Sequence, residues 1–288
     1  MKVLKVNAFS NSKKGGNPAG VVLTSPQLTE TQMKQISKEL EVSETAFVFP
    51  SNIADYKLRF FSPEVEVELC GHATIATFFA LAEKDFLDTN QPTVTLDQET
   101  KVGILPVDIY CSNGHCEKVM MTQQRPILKG VRINFQKLAT SLNTDMADID
   151  GSLPQQIVST GLFTLPVCIK SFEILQHLNP HFDKIKEICR THHVGSLFPF
   201  TFDTLEEQST YHARCFAPLY GINEDPVTGT ANGAVSCYLV KNKILKETKL
   251  LCEQGDIMGR PGRVIVEVDT TVKVGGIATI VEEQDLEV

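Results

Sequence analysis

The chain has 288 residues, of which 42% are apolar and 22% charged, with a formal net charge of −8. That length lies at the upper end of what one hydrophobic core serves and points to two lobes. The acidic balance, without any basic stripe, argues against a nucleic-acid partner. The opening MKVLKVNAFS is too short in its apolar run for a signal peptide, and no apolar stretch reaches membrane-span length. A cytoplasmic protein with no membrane partner is therefore expected, its eight cysteines reduced and buried.

Residues 3–9 alternate as a strand. The loop SNSKKGGNPAG has the glycines of a phosphate cradle but not their order. It is read as ending in a turn, Asn17-Pro18-Ala19-Gly20, that brings backbone close to a cleft before a strand over Val21–Leu23. A helix over Thr29–Glu41 follows from a capping box, Thr29 with Gln32, and from Met33, Ile36 and Leu40 on one face. Glu44 stands at the mouth of an apolar strand, Ala46–Phe49. It is either a solvated strand-entry residue or an acid or base whose pKa is raised by its apolar setting.

Asp55–Phe61 alternates as a half-buried strand, a polar loop carries Glu64, Glu66 and Glu68, and a helix runs from Gly71 to about Lys84. Strands over Thr93–Leu96, Val102–Tyr110 and Glu117–Thr122 follow. Asn143–Leu153 reads as an acidic surface loop. Beyond it come a strand pair within Gln156–Ile169 turning at Gly161-Leu162, and a helix to about Arg190 capped by Asn179 with Pro180 at its first position. Strands Leu197–Phe202 and Tyr211–Phe216 precede a helix from Gly229 to about Lys241. Strands Lys249–Glu253 and Val264–Val268 flank the loop QGDIMGRPG, and Gly276–Glu282 is the last strand.

Two of these stretches are alike. In LRFFSPEVEVELCGHATIATFFAL and ARCFAPLYGINEDPVTGTANGAVSCYLV, Arg59 matches Arg214, Phe61 matches Phe216, Pro63 matches Pro218 and Gly71-His72-Ala73 matches Gly229-Thr230-Ala231. The offset is 214 − 59 = 155 at the strand and 229 − 71 = 158 at the helix. A repeat of this period predicts two similar lobes, 1–116 and 117–275, with the last strand, 276–288, joining the first. Packed about a pseudo-twofold axis, both helix starts would meet at one cleft.

Both helix starts consist of small residues without an acidic cap, so their free N–H groups can hold a carboxylate or phosphate. Gly71, Ala73, Gly229 and Thr230 are the expected contacts. The alternative is close helix packing, but its occurrence twice favours a site. Cys70 and His72 alone fall short of the three or four ligands of a zinc site, and in CSNGHC the adjacent His115 and Cys116 could hardly share an ion, so no metal is expected. Pro226 restrains Asp225 to an extended conformation, which either holds its side chain at the cleft or makes a turn.

The motifs Asn17-Pro18-Ala19-Gly20, Ser43-Glu44-Thr45-Ala46-Phe47, Cys70-Gly71-His72-Ala73-Thr74, Glu224-Asp225-Pro226-Val227-Thr228-Gly229 and Glu253-Gln254-Gly255 through Gly259-Arg260-Pro261 run from one end of the chain to the other. In that order and spacing the chain resembles the phenazine-biosynthesis isomerase-like (PhzF) family, of diaminopimelate-epimerase-like fold. The resemblance implies an α+β protein of two pseudo-symmetric lobes, each a curled, barrel-like sheet around a central helix. It also implies a cofactor-free site and a homodimer.

In the phenazine-making members a glutamate matching Glu44 moves a proton within a cyclic dihydro-hydroxyanthranilate, and residues matching His72 and Asp225 assist. Asn17, Gly71, Ala73, Gly229 and Thr230 then hold the substrate, a small carboxylic acid. Where those members carry Ser, Thr230 stands here. The related two-base racemases use one thiol before each helix start; Cys70 occupies the first position but Thr228 the second, which disfavours that chemistry. A racemase, epimerase or dehydratase of a hydroxylated amino acid, and a non-catalytic ligand-binding or interaction protein, are the alternatives.

Overall fold

The computed structural model describes residues 1–25 and 28–286; the last two residues of the expected 276–288 segment lie outside the described residues. The chain forms two compact units, one made of residues 1–122 with the end of the chain from 275, the other of residues 123–274.

The first unit contains β1 (Lys2–Ala8), β2 (Asn17–Val22), α1 (Glu30–Glu39), β3 (Thr45–Phe49), β4 (Tyr56–Phe61), β5 (Glu66–Val67), α2 (Gly71–Glu83), β6 (Thr93–Thr100), β7 (Gly103–Ser112) and β8 (His115–Thr122). β1 pairs antiparallel with β2, β2 parallel with β3, β3 antiparallel with β4, β4 parallel with β6, and β6 antiparallel with β7. The hairpin of β7 with β8 keeps residues 117–122 in this unit, beyond the expected boundary at 116. The final strand, Ala278–Asp285, pairs antiparallel with β1.

Helix α2 has no polar face, and every residue from Ala73 through Ala82 is buried. A helix apolar all round needs cover on every side; β1, β2, β3, β7, β8 and the final strand all pack on it, so the sheet curls around it. Helix α1 forms as its sequence predicts, with the Thr29–Gln32 capping box in place and Met33 and Ile36 buried. These side chains join Val22, Leu40, Phe47 and Phe61 in a core cluster.

Asn17-Pro18-Ala19-Gly20 is strand, not turn. Pro18 faces Asn7 across the β1–β2 ladder. At Gly20 an added Cβ would sit 2.5 Å from both Leu40 and Thr45 side-chain atoms, so the glycine permits close packing. Likewise Glu66 lies in the short strand β5, paired with β4, not in an open loop.

The second unit contains β9 (Ile127–Gly130), α3 (Phe135–Leu142), β10 (Gln156–Ser159), β11 (Phe163–Cys168), α4 (Phe172–His177), α5 (Phe182–His192), β12 (Ser196–Thr201), β13 (Tyr211–Ala213), β14 (Cys215–Ala217), β15 (Ile222–Asp225), α6 (Gly229–Lys241), β16 (Lys249–Gln254) and β17 (Gly262–Val268). From β10 the pairings again run antiparallel, parallel, antiparallel, parallel, antiparallel, through β11, β12, β13, β16 and β17. This is the order found from β1 to β7, and the repeat seen in the sequence is therefore a repeat of topology. Helix α6 is buried from Ala231 through Leu239 and packs against β10, β11 and β17.

Helices α3 and α5 cover a cluster that includes Leu138, Leu142, Ile185, Leu197 and Phe216; each fully buried side chain of this kind stabilises by about 1.5–3 kcal/mol. Helix α5 starts at Phe182 with His181 as its N-cap, not at Pro180 with Asn179. The backbone N–H groups of Asn179 and His181 are committed to the Leu142 and Ser141 carbonyls at the end of α3, which holds that segment out of the helix. The expected strand over Tyr211–Phe216 is interrupted at Arg214. None of the eight cysteines is in a disulfide and all are buried, and among the described residues no helix is long and apolar enough to cross a membrane.

Candidate active site

Cys70, the N-cap of α2, is extended (φ −139°, ψ 112°) and makes no capping bond, and no acidic residue lies in the first turn. The first-turn N–H groups of Gly71, His72 and Ala73 thus have no intrahelical carbonyl and no side-chain cap, the condition for binding an anion. Into this helix start reaches Glu44, whose Oε2 lies 3.4 Å from Nε2 of His72. The backbone fixes Glu44 from below: the Gly20 N–H donates to its carbonyl at 3.0 Å, so β2 positions the residue that precedes β3. Cys70 Sγ lies 3.4 Å from Nδ1 of His72. The three side chains form one cluster, with the Glu44 and His72 side chains only 17% and 11% exposed.

The second helix start is built on the same plan with different chemistry. Thr228, the N-cap of α6, also makes no capping bond, and its first turn has no acid. Its hydroxyl instead donates to the Asp225 carboxylate. Gln254 closes the group: its Oε1 accepts from the Thr228 N–H and from Asn232 Nδ2, and its Nε2 donates to the Asp225 carbonyl at 2.9 Å. Thr160 Oγ1 donates to the Thr230 carbonyl. Gly255 is required beside this group. Its φ is +90°, and a Cβ would stand 2.3 Å from the Arg260 carbonyl oxygen and 2.7 Å from that of Pro226.

Each unit braces its helix start with one arginine. Arg59 holds Glu66 through two hydrogen bonds of 2.8 Å, and Arg214 holds Glu224 through two of the same length. Their guanidinium carbons lie 5.0 and 4.9 Å from the rings of Phe61 and Phe216. Such forked pairs are geometrically demanding, and their occurrence at matching positions fixes the two acidic segments alike.

The repeat also shows what is not shared. Thr45 pairs with Phe61 in β4, and Leu197 with Phe216 in β14. With Phe61 matched to Phe216, Glu44 therefore corresponds to Ser196, a buried serine 3.0 Å from the Thr164 hydroxyl. The carboxylate exists in one unit only.

Of the expected residues, Glu44, His72, Gly71 and Ala73 gather at the first helix start, and Asp225, Gly229 and Thr230 at the second. Asn17 is buried at the head of β2, opposite Ala8. Two buried glutamines were missed as site residues: Gln254 appeared only within a family motif and Gln98 not at all. Gln98, on β6, accepts from Thr74 in the first turn of α2, as Gln254, on β16, accepts from Asn232 in the first turn of α6. Only the matching strand order reveals them as counterparts.

The family model described as phenazine biosynthesis-like protein matches residues 6–284. The chain is 38% identical over 269 residues to an uncharacterised isomerase of Bacillus subtilis, YfhB, covering 93% of this chain and 90% of the relative. It is 36% identical to an uncharacterised isomerase of Clostridium acetobutylicum, covering 98% and 96%. The crystal structure of a PhzF-family phenazine biosynthesis protein of Bacillus anthracis is similar with a TM-score of 0.90 at 33% identity, covering 100% of this chain and 99% of that one.

Proposed function

The chain belongs to the phenazine biosynthesis-like (PhzF) family and is an isomerase, and from that premise we propose that it shifts a proton within a small cyclic or unsaturated carboxylic acid by means of one glutamate. The observation that carries this reading is the placement of Glu44 at an uncapped helix start, 3.4 Å from His72. Glu44 takes a proton from a carbon of the substrate and returns it, or its equivalent, at another carbon. A positioned general acid or base of this kind is worth about 10²–10⁴ in rate. His72 orients the carboxylate and shares the proton. The N–H groups at Gly71, His72 and Ala73 hold the substrate carboxylate and spread its developing negative charge, each helix end contributing about 0.3–1 kcal/mol through its dipole.

Asp225, with Gly229 and Thr230, is assigned an assisting role from the second unit, where the Thr228 hydroxyl and Gln254 fix its place. Asn17 is assigned to substrate binding. The chemistry proposed here is complete without a cofactor, and a homodimer is the proposed assembly. Thr228, not a second cysteine, is the N-cap that matches Cys70, which favours the one-base reaction over a two-thiol racemisation. Glu44→Gln tests the assignment: turnover falls by two or more of the powers of ten that general acid–base catalysis supplies, about 10²-fold at least, while ligand affinity and fold stay near those of the wild type. Full turnover in that variant would remove Glu44 from the mechanism.

A further inference from the structure

We propose that Glu44, Cys70 and His72 form a site for one zinc ion, and that zinc bound there withdraws the glutamate from proton transfer; the second half of this inference rests on the acid/base role given to Glu44, the first does not. Among the described residues this is the one cluster of three metal-ligating side chains, with a thiol sulfur, an imidazole nitrogen and a carboxylate oxygen all within 4.8 Å of one another. The sequence shows only Cys70-x-His72, two donors. The fold supplies the third by bringing the residue before β3 to the start of α2.

The spacing fits the ion. Zinc bonds of about 2.3 Å to sulfur and about 2.0–2.1 Å to nitrogen or oxygen, at tetrahedral angles, separate ligand atoms by roughly 3.3–3.6 Å. His72 Nε2 stands 3.4 Å from Glu44 Oε2 and 3.9 Å from Cys70 Sγ. The nitrogen–oxygen pair already has the required separation, and the sulfur, 3.9 Å from the nitrogen and within 4.8 Å of the oxygen, comes into range by small rotations of the partly exposed Glu44 and His72 side chains. Three protein ligands leave the fourth position to water, the arrangement of an open zinc site.

Charge and access agree. On binding, the Cys70 thiol loses its proton to solvent and forms the sulfur–zinc bond without any change of oxidation state. Thiolate and carboxylate together then neutralise the dication. The partly exposed Glu44 and His72 side chains leave the ion a path from solvent. The carboxylate oxygen that coordinates zinc is no longer free to accept a proton from carbon.

The test is a metal titration of the full chain, first with Co²⁺ alone as the spectroscopic probe and then with Zn²⁺ in competition. The expected result is one ion per chain, a thiolate-to-cobalt charge-transfer band in the near ultraviolet, and its loss on adding Zn²⁺. Cys70→Ser abolishes that band, and Cys70→Ser, Glu44→Gln and His72→Asn each weaken zinc affinity by about tenfold or more. If Cys70→Ser does not fold, Glu44→Gln, at a partly exposed side chain, carries the same comparison. A chain that takes up no zinc, or one whose affinity Glu44→Gln and Cys70→Ser leave unchanged, overturns the site. Because the titration needs no substrate, it succeeds or fails separately from the acid/base assignment: zinc binding lost in Glu44→Gln with turnover retained would keep the site and discard the catalytic role.

Discussion

Glu44 and His72 meet through their side chains at 3.4 Å although they come from unrelated elements, one preceding a strand and the other in the first turn of a helix. A carboxylate this close to an imidazole is oriented by it, and the pair can exchange a proton. His72→Gln keeps a hydrogen-bonding side chain but cannot carry the charge, and it is expected to lower kcat by about 10²-fold, the lower end of the range for acid–base groups. Glu44→Gln should cost more. Steady-state kinetics on the two variants check the order; equal losses would make His72 as direct a participant as Glu44.

The two arginine forks should differ in what they contribute to stability. Arg214 is 8% exposed and also donates to the Leu175 and Leu178 carbonyls, so Arg214→Ala strands Glu224 and two buried carbonyls. Removing one partner of a buried pair costs about 3–5 kcal/mol. Arg59 is 24% exposed, and Lys101 remains 2.7 Å from Glu66 when the arginine is gone. Arg59→Ala is therefore expected to cost less. Urea unfolding of both variants would show it as a larger drop in midpoint for Arg214→Ala.

Glu66 gives the fold a pH dependence of known sign. The hydrogen bonds from Arg59 pull its carboxyl down to about 2 from an ordinary 4.5; burial opposes this, and Lys101 adds to it. A carboxylate whose folded pKa lies below its unfolded one stabilises the fold above the unfolded value, and this contribution is lost as pH falls through the folded one. The difference in unfolding free energy between wild type and Glu66→Gln should thus be full at pH above about 5 and vanish towards pH 2. A difference that stays constant over this range would contradict the ion pair as its source.

Gly255→Ala should destabilise beyond the usual cost of a helix or loop substitution. At φ +90° the added methyl meets two backbone carbonyls that cannot swing aside, and one of them belongs to Pro226, next to Asp225. Strain of this kind costs of order 1–3 kcal/mol. A lowered melting temperature together with weakened activity is expected. An unchanged melting temperature would mean that the 255–260 segment relaxes freely.

Much of this was legible in the sequence because it is written twice. The Arg59–Phe61 and Arg214–Phe216 pairs, the two small-residue helix starts and the Thr29–Gln32 box depend on residue type at short spacing, and spacing survives into structure. Glu44 by itself was visible as a carboxylate in apolar company, and the family resemblance gave it its expected role; its approach to His72 depends on the β2–β3 ladder, which no local pattern encodes. The Asn17–Gly20 segment misled because Pro and Gly usually mark turns, whereas here Gly20 serves close packing against Leu40 and Thr45. Asn179 misled because a good capping residue before Pro still has to be free, and its backbone is tied to α3. Gln98 left no trace and Gln254 showed only as part of a family motif, since a buried glutamine that meets a distant helix start looks like any other polar residue in a strand.

Proton transfer by Glu44 is read from carbon-bound deuterium, followed by NMR while the protein is incubated in D₂O with cyclic unsaturated and β-hydroxy amino acids, dihydro-hydroxyanthranilate among them. Wild type is expected to introduce deuterium into at least one of these acids at a carbon different from the one that loses hydrogen, and Glu44→Gln to introduce none. Exchange at a single carbon with inversion, or exchange that persists in Glu44→Gln, would contradict it.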